Sequence, residues 1–553
     1  MHRKMKIKTM KKQGWFYKIG LVSFSLCLTL LGEAKVKLPA LFSDGMVLQR
    51  EQAVKVWGKA DPGEEVKVVF LKKKVTTRAD SNGDWKLTLP AMKPGGPHEM
   101  SINECKLKDI LIGDVFLCSG QSNMELPVAR VLDLFRTEIE THRNLMIRHV
   151  KVPLTYNFHA PQTDIAPVEW KAMTPEHSLS FSALGYFFAK ALFAKNNVPI
   201  GLINSSVGGS PVEAWMSEES LQSFPQYLNE KRICESDTYV ARVKQTEAER
   251  QQLWNTALYS GDRGCQSICP WYADAYDDSD WTEMDLFSTD WGTNGLNPLN
   301  GSHWFRRTFE LPQAALGKEA TLRLGCIVDA DSVFVNGTFV GSVAYQYPPR
   351  IYAIPAHLLR KGSNQITVRL ISYAGRPRFV PDKPYKLLVG HEEVNLCGIW
   401  KYKQGCAMPS LPGQTFFQYK PVGLYNTMIA PLLPYRLAGV VWYQGESNVS
   451  RYNEYASLLT TLIGDWRDRM QTPQLPFYVV ELASFLAPND PGQAAWAALR
   501  SAQALVVNSH TNTTLIANSD LGEWNDIHPL DKKTLGERLA DAIDKESTKR
   551  TIN

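Results

Sequence analysis

The chain has 553 residues, of which 44% are hydrophobic, 21% charged and 10% aromatic. This length exceeds what one hydrophobic core supports, so two or three domains are expected, and the ordinary apolar fraction excludes wholesale disorder. The formal net charge of +5 comes from the first 34 residues, so it gives no support to nucleic-acid binding.

The first 34 residues are typical of an export signal. Seven basic residues precede an apolar run of 13 residues, Ile19 to Leu31, and the segment ends at the small residue Ala34. This run is shorter than the roughly 20 residues that span a membrane. We therefore predict that residues 1–34 are removed, that the protein is periplasmic or extracellular, and that no stable membrane insertion remains. Loss of seven basic residues and one acidic residue lowers the net charge from +5 to −1.

Eight of the nine cysteines remain once Cys27 leaves with this segment. They show no CxxC spacing, and only Cys265 and Cys269 lie close together in the sequence. Disulfide bonds and free thiols both suit an exported protein, so both stay open. No spacing typical of a zinc site is present, and no metal is predicted.

The mature chain begins with short runs in which apolar and polar residues alternate. Ala53 to Trp57 and Trp85 to Leu89 are examples, and Asp61-Pro62-Gly63 and Asn82-Gly83 supply turns between such runs. Alternation of this kind gives each strand one face that can be buried. We predict a small antiparallel β domain over residues 35–104.

Residues 105–265 and 405–553 carry a different pattern, in which apolar strands alternate with helices. Ile110 to Cys118 is a nearly continuous apolar run, and Phe181 to Lys195 has apolar residues at helical spacing. The pattern resumes in the second part with the apolar strand Leu437 to Trp442. This order of elements predicts an α/β fold, with a parallel sheet flanked by helices and divided into two parts.

Residues 266–404 return to short β runs, such as Ser332 to Gly337 and Gln365 to Leu370. Asn336-Gly337 after alternating apolar residues is a strong hairpin signal. We predict a β module inserted into the α/β domain. Because such a module has its own core and the candidate catalytic residues lie outside it, we expect hydrolysis of a small ester not to need it.

Four loops at the ends of predicted strands carry chemistry. Ser122 follows a strand within Gly120-Gln121-Ser122-Asn123-Met124, where amides at a helix start can face an anion. His528 lies two residues after Asp526, a spacing that lets a carboxylate orient an imidazole. Gly208-Gly209 and Gln444 end two more strands. Each segment alone also suits a cap or a turn, but parallel strands gather such loops at one sheet edge.

Taken together, these segments resemble a known family, and the resemblance extends over most of the mature chain. Four motifs are similar, in the same order, to those of the sialate O-acetylesterase family of SGNH hydrolases: Gly120–Met124, Gly208–Ser210 with Glu213–Trp215, Trp442–Asn448 and Asp526–Pro529. Leu41 to Arg50 resembles the amino-terminal β domain of that family. Asp329 to Gly337 is similar to the jelly-roll domains of β-galactosidases. The resemblance implies an SGNH-type parallel sheet, preceded by a small β domain and split by an inserted β jelly roll.

The resemblance also implies catalytic roles. Ser122 matches the family nucleophile and His528 its base. Asp526 is expected to orient His528, with Asp520 as the alternative. A dyad, in which a backbone carbonyl assists the histidine, is the third possibility. The implied reaction is two-step acyl transfer, which requires neither a metal nor a cofactor.

The oxyanion of such a reaction needs hydrogen-bond donors. The backbone amide of Ser122 is expected to be one, and Gly209 is preferred over Gly208 for the second. The third donor is not decided by the motif, because the Gly-x-Asn-Asp of the wider superfamily is replaced here by Gln-Gly-Glu-Ser-Asn. We expect Gln444, ahead of Asn448, to be the third donor.

The implied partner is an O-acetylated sugar or glycan. A sialate 9-O-acetyl ester is the preferred substrate, and acetylxylan or another glycan is the alternative. A glycosidase, with Glu446 paired to Asp520 or Glu481, is a less favoured hypothesis. A second less favoured hypothesis is a carbohydrate-binding protein without catalytic activity. Four tryptophans could stack on sugars in such a protein: Trp271, Trp281, Trp291 and Trp304. No pattern predicts the oligomeric state.

Overall fold

A computed structural model describes residues 36–288 and 299–552, with side chains as far as residue 547. The predicted export signal at residues 1–34 lies outside these residues. No helix within them combines the length and the apolar character needed to cross a membrane. The eight cysteines of the described residues are free thiols, so Cys265 and Cys269 are not bonded to each other.

One long strand joins the amino-terminal region to the central sheet. The strands of this region are Val47–Gln49 (β1), Val54–Lys59 (β2), Glu65–Phe70 (β3), Lys73–Arg78 (β4), Asp84–Leu89 (β5), Gly95–Ile102 (β6) and Cys105–Gly120 (β7). The first half of β7 pairs antiparallel with β6 and parallel with β1. Its second half enters the parallel sheet, so the two regions share a strand and a core.

Helices and strands then alternate as far as residue 266. They are Ser122–Glu125 (α1), Leu132–Thr141 (α2), Asn144–Lys151 (β8), Lys171–Met173 (β9), Pro175–Ser178 (α3), Ala183–Asn196 (α4), Ile200–Ser206 (β10), Pro225–Cys234 (α5), Asp237–Gly261 (α6) and Arg263–Gln266 (α7). Every residue of β10 is buried, because this strand is covered on both faces.

The insertion consists of antiparallel strands. They are Thr282–Asp285 (β11), Gly301–Leu311 (β12), Ala320–Leu324 (β13), Ile327–Val328 (β14), Ala330–Val335 (β15), Thr338–Val343 (β16), Ile351–Ile354 (β17), Gly362–Ser372 (β18), Arg378–Phe379 (β19), Tyr385–Val389 (β20), Glu392–Asn395 (β21) and Ile399–Ala407 (β22). One sheet has the order β11-β22-β12-β18-β15-β16 and another the order β17-β13-β20-β21, and both contribute to one hydrophobic core. The jelly-roll topology stays a prediction.

Two local details of the insertion bear on the sequence analysis. The predicted hairpin at Asn336-Gly337 is confirmed, since these residues join β15 to β16 and have φ of 47° and 81°. Positive φ at both central residues is what a tight hairpin turn requires. The predicted end of the module at residue 404, by contrast, falls inside β22.

The α/β domain is completed after the insertion. Its remaining elements are Gly439–Tyr443 (β23), Tyr452–Arg469 (α8), Phe477–Val480 (β24), Gln493–Ser509 (α9), Thr513–Ile516 (β25) and Lys532–Ile552 (α10). The central sheet runs β25-β24-β23-β7-β10-β8 with all strands parallel, and β9 pairs antiparallel at its edge. Helices α4 and α10 cover one face, and α8 and α9 cover the other. The predicted mixed α/β fold with a parallel sheet is confirmed.

This topology places the four candidate loops at one edge of the sheet. Ser122 follows β7, Gly209 follows β10, Gln444 follows β23 and His528 lies in the loop after β25. All four strands are parallel, so their carboxyl ends point the same way. Ligands of open α/β sheets bind at this edge.

Gly120 lets β7 and β23 approach each other closely at this edge. Its φ is 131°, and a Cβ at this position would lie 2.1 Å from the carbonyl oxygen of Tyr443 on β23. We expect Gly120→Ala to lower the free energy of unfolding by about 3 kcal/mol or more, because backbone strain and a backbone clash add together. Urea unfolding followed by circular dichroism measures this loss.

Gly63 provides the matched control for this prediction. It also has a positive φ, of 80°, but a Cβ there meets no atom within 4 Å. Gly63→Ala should therefore cost only the backbone term, about 1–2 kcal/mol. Equal losses for the two variants would show that the close approach of β7 and β23 is not the constraint that we infer.

Candidate active site

Ser122 is the first residue of α1, directly after the turn that ends β7, and its side chain is partly exposed. The glycine-pair loop faces it, since a Cβ placed on Gly208 would lie 3.4 Å from the Cβ of Ser122. Among the described residues, the N–H groups of Ser122 and Gly209 have no acceptor. The N–H of Gly208 instead donates to Oε2 of Glu125 at 2.7 Å. This geometry leaves Gly209, rather than Gly208, free to bind an anion.

His528 lies in the loop between β25 and α10 and is 8% exposed. Burial, together with the positive charges of Lys532 and Arg130, lowers the pKa of His528 to about 3. The imidazole is therefore neutral at physiological pH and can accept a proton. Its Nδ1 has no hydrogen-bond partner in the part of the chain that the structure describes.

The two aspartates considered as partners of His528 differ in position. Oδ1 of Asp526 accepts the backbone N–H of His528 at 2.9 Å and lies 3.9 Å from its Nδ1. Asp520 is exposed, and its two oxygens each accept a hydrogen bond from Arg538 at 2.6 Å. Asp526 is thus the carboxylate beside the imidazole, although 3.9 Å exceeds a hydrogen-bond length.

A fully buried residue that the sequence analysis gave no role, Asn123, connects the loops beneath the serine. Its Nδ2 donates to Oε1 of Glu446 at 2.5 Å and to the carbonyl of Ile527 at 2.9 Å. Its Oδ1 accepts from Nζ of Lys532 at 2.8 Å. The residue after Ser122 is thereby bonded to the residue before His528, which holds both loops at the same point. Its position inside the Gly120–Met124 motif was the only sequence signal for it.

Gln444 is fully buried, and its amide is engaged by neighbouring loops. Nε2 donates to the carbonyl of Ser210 at 3.3 Å and to Oδ1 of Asn448 at 2.7 Å. Both N–H groups are thereby used within the protein. Nδ2 of Asn448, the other candidate, donates to Glu213 at 3.1 Å. This geometry gives no support to Gln444 as the third oxyanion donor, and its observed contacts instead join the loops after β10 and β23.

The insertion contacts the histidine loop directly. Nζ of Lys383 lies 2.8 Å from Oε2 of Glu523 and 3.2 Å from Oδ2 of Asp526. The ring of Tyr347 meets the ring of His528 edge to face, with centroids 5.3 Å apart. The candidate catalytic residues lie outside the module, but these contacts argue against the expectation that hydrolysis of a small ester does not need it. The module places the ammonium group of Lys383 beside Asp526 and the ring of Tyr347 against His528.

The structure does not support the two competing hypotheses. Burial raises the pKa of Glu446, which is held by Asn123, and Glu481 accepts the N–H groups of Asn518 and Ser519. With Asp520 bonded to Arg538, none of these carboxylates forms a glycosidase pair. Of the tryptophans proposed to stack on sugars, Trp291 lies outside the described residues. The other three are buried and pack together: Trp271, Trp281 and Trp304.

Comparisons with known proteins show similarity to carbohydrate esterases. A family model described as carbohydrate esterase, sialic acid-specific acetylesterase matches residues 112–257 and 410–545. Human sialate O-acetylesterase is 32% identical over 208 residues, which cover 34% of this chain and 40% of that protein. The rat sialate O-acetylesterase is 31% identical over 199 residues, 32% of this chain and 37% of that protein. The chain thus spans about two fifths of the length of these curated relatives.

A solved structure extends the similarity across most of the chain. A carbohydrate acetylesterase from Xanthomonas citri is similar with a TM-score of 0.54 and 26% sequence identity. The match covers 92% of this chain and 74% of that chain. The family match covers parts of both halves of the α/β domain and omits the insertion, whereas the structural match covers most of the whole chain.

The contact of Lys383 with Asp526 leads to a prediction. We expect Lys383→Met to lower kcat for 4-nitrophenyl acetate between about 10- and 100-fold, because the carboxylate beside His528 loses its anchor and small displacements of catalytic groups are costly. Initial rates at pH 8 measure the change, and the melting temperature checks the fold.

Lys386→Met is the control for this variant. Lys386 also belongs to the insertion and forms an ion pair, but its partner is Glu393 on β21. The control should keep the rate of the unaltered protein. A Lys383→Met variant as active as Lys386→Met would return the insertion to an accessory role.

Proposed function

The chain belongs to the carbohydrate esterase family of sialic acid-specific acetylesterases, and we propose that it hydrolyses O-acetyl esters of sugars, with Ser122 as nucleophile. The observation that carries this proposal is the pair of hydrogen bonds from Asn123 to Ile527 and Glu446. These bonds tie the residue after Ser122 to the residue before His528, which supports their assignment to one site. Export is proposed with it, on the basic and apolar residues before residue 35.

The proposed reaction has two steps. Oγ of Ser122 attacks the acetyl carbonyl as His528 takes its proton, and the carbonyl oxygen becomes an oxyanion. The unpaired N–H groups of Ser122 and Gly209 stabilise that charge. His528 then returns the proton to the departing sugar oxygen, which leaves an acetyl ester on Ser122. Water, deprotonated by His528, attacks this ester, and acetate leaves as His528 returns the proton to Oγ of Ser122.

In this mechanism Asp526 stabilises the histidine once it is protonated. Its 3.9 Å distance from Nδ1 shortens to a hydrogen bond when the imidazolium forms, since the charge on the ring attracts the carboxylate. Lys383 holds the other oxygen of Asp526 through a contact of 3.2 Å. Asp526 is thus the proposed third member of a triad.

The choice of an acidic sugar rests on Arg130. Its guanidinium has no carboxylate partner in the described part of the chain, and its Nε is buried without any partner. Its Nη2 donates to the carbonyl of Tyr347 at 3.4 Å, and the ring of Tyr347 contacts that of His528, so Arg130 lies near the proposed base. A guanidinium in this state suits the carboxylate of a sialic acid, which binds through charge-assisted hydrogen bonds. This observation favours a sialate 9-O-acetyl ester over an acetylated neutral glycan such as xylan.

The first test concerns the nucleophile. Ser122→Ala should lower acetate release from both 4-nitrophenyl acetate and 9-O-acetyl-N-acetylneuraminic acid by about a thousandfold or more, as loss of a nucleophile normally does. Its melting temperature should stay unchanged, because the side chain packs little. Ser180→Ala, an exposed loop serine, is the control. A Ser122→Ala enzyme with more than about a tenth of full turnover would refute the proposal.

The second test concerns Arg130. Arg130→Gln should lower kcat/KM for 9-O-acetyl-N-acetylneuraminic acid by about 10- to 100-fold, the value of a charge-assisted hydrogen bond, but leave acetylxylose within a few-fold. Equal losses on the two sugars would contradict the assignment of an acidic substrate. Arg136→Gln, an exposed arginine paired to Glu140, controls for loss of charge on the same segment.

The same variant makes a prediction about pH. Arg130 lowers the pKa of His528, so its removal raises that pKa. Protonation, which inactivates the base, then begins at a higher pH. The acid limb of kcat/KM for 4-nitrophenyl acetate should therefore move toward neutral pH in Arg130→Gln and stay in place in Arg136→Gln.

A further inference from the structure

A cavity of about 430 Å³ lies beside the glycine-pair loop, and the proposed reaction gives it no role. Gly209, Tyr419 and Ser447 are among the residues that line it. The Tyr419 hydroxyl lies close to the backbone of Gly209, since a Cβ placed on that glycine would meet it at 2.3 Å. Oγ of Ser447 donates to the Gly209 carbonyl at 2.8 Å. The cavity therefore begins at the proposed oxyanion donor, and its volume suits a small-molecule group.

The charges that line the cavity cancel. Glu213 pairs with Arg451 and Glu230 pairs with Lys420, each with a nitrogen–oxygen distance of 2.6 Å. A ligand that entered here would meet paired charges, whose remaining hydrogen-bonding capacity suits hydroxyl groups. An anionic group would have to compete with Glu213 or Glu230 for a cation. The cavity thus differs from the surroundings of Arg130, which has no carboxylate partner among the residues that the structure describes.

Two aromatic rings, those of Tyr419 and Phe416, form a face beside the cavity. The ring of Tyr419 stacks on that of Phe416, with centroids 5.1 Å apart and ring planes 30° apart. Phe416 is 46% exposed, so its ring is accessible to a ligand beside Tyr419. The apolar face of a pyranose can pack on such rings while its hydroxyl groups reach polar residues beside them.

We propose that this cavity and the Phe416–Tyr419 face form a subsite for a neutral sugar joined to the acetylated one. The inference rests on the proposed esterase function and names the substrate class more closely: a glycan-linked acetylated sugar rather than a free monosaccharide. The acidic ring lies toward Arg130, and the neutral, hydroxyl-rich part of the glycan occupies the cavity beside Gly209.

The experiment compares chain lengths. Values of kcat/KM are measured for 9-O-acetyl-N-acetylneuraminic acid and for the same sugar in sialyllactose, and in parallel for acetylxylose and acetylxylotetraose. In at least one series the longer substrate should be preferred by about tenfold, mainly through KM, because the added sugar contributes binding energy. Equal values for short and long substrates in both series would overturn the subsite.

Two variants place the preference in this cavity. Phe416→Ala removes the ring on which the sugar stacks. Glu230→Gln removes the negative charge that pairs with Lys420 while the side-chain volume stays nearly constant. Each should reduce the chain-length preference to about twofold or less, if the subsite supplies that binding energy. Phe339→Ala removes an exposed ring on β16 of the insertion, and this control should retain the full chain-length preference. A preference that survives both Phe416→Ala and Glu230→Gln would overturn the location.

Failure of the proposed function gives a different result. In that case the unaltered protein releases no acetate from any of the four sugars, or Ser122→Ala is as active as the unaltered protein. If acetate is released from short and long sugars at equal rates and depends on Ser122, the esterase proposal stands and the subsite alone is rejected.

Discussion

The buried amide of Asn123 is the constraint on which the arrangement of the site depends. A buried amide must satisfy its donors and its acceptor or lose about 1–3 kcal/mol for each unpaired group. Asn123 does so with Glu446, Ile527 and Lys532, which come from three different segments. Moving any of these segments would break a bond that water cannot replace at this depth. The loops of Ser122 and His528 are therefore fixed relative to each other by one side chain.

The same network sets the electrostatics of the base. Burial lowers the pKa of Lys532 to about 8 and raises that of Glu446, and Asn123 lies between the two groups. The remaining positive charge on Lys532 is one reason that the pKa of His528 is low. The insertion acts from the opposite side, where Lys383 holds Asp526 and the Pro381 carbonyl accepts a hydrogen bond from Asn525 at 2.7 Å. The histidine loop is thus held by both the α/β domain and the insertion.

The sequence predicts what local pattern controls. The turn at Asn336-Gly337 is decided by two residues that accept positive φ, and the helical spacing of apolar residues over Phe181 to Lys195 corresponds to the observed helix α4, Ala183–Asn196. Contacts between distant segments leave no such pattern: Asn123 and Ile527 are 404 positions apart, and Lys383 and Asp526 are 143 apart. The sequence shows that residue 444 is a glutamine, but it does not show which groups accept the two hydrogen bonds of its side-chain amide. The sharing of β7 between two sheets was missed for the same reason.

The charges around His528 connect substrate choice with base strength. Lys532 and Arg130 both disfavour the imidazolium that the reaction must form, so the free enzyme holds a neutral but weak base. In the proposed complex, the carboxylate of an acidic sugar neutralises the Arg130 guanidinium. That removes one of the two opposing charges and raises the pKa of His528 at the moment when it must accept a proton. A neutral acetylated sugar brings no such charge, so the base stays as weak as in the free enzyme. Selection for the acidic sugar would then act on kcat as well as on binding, because the bound substrate itself completes the electrostatics of the base.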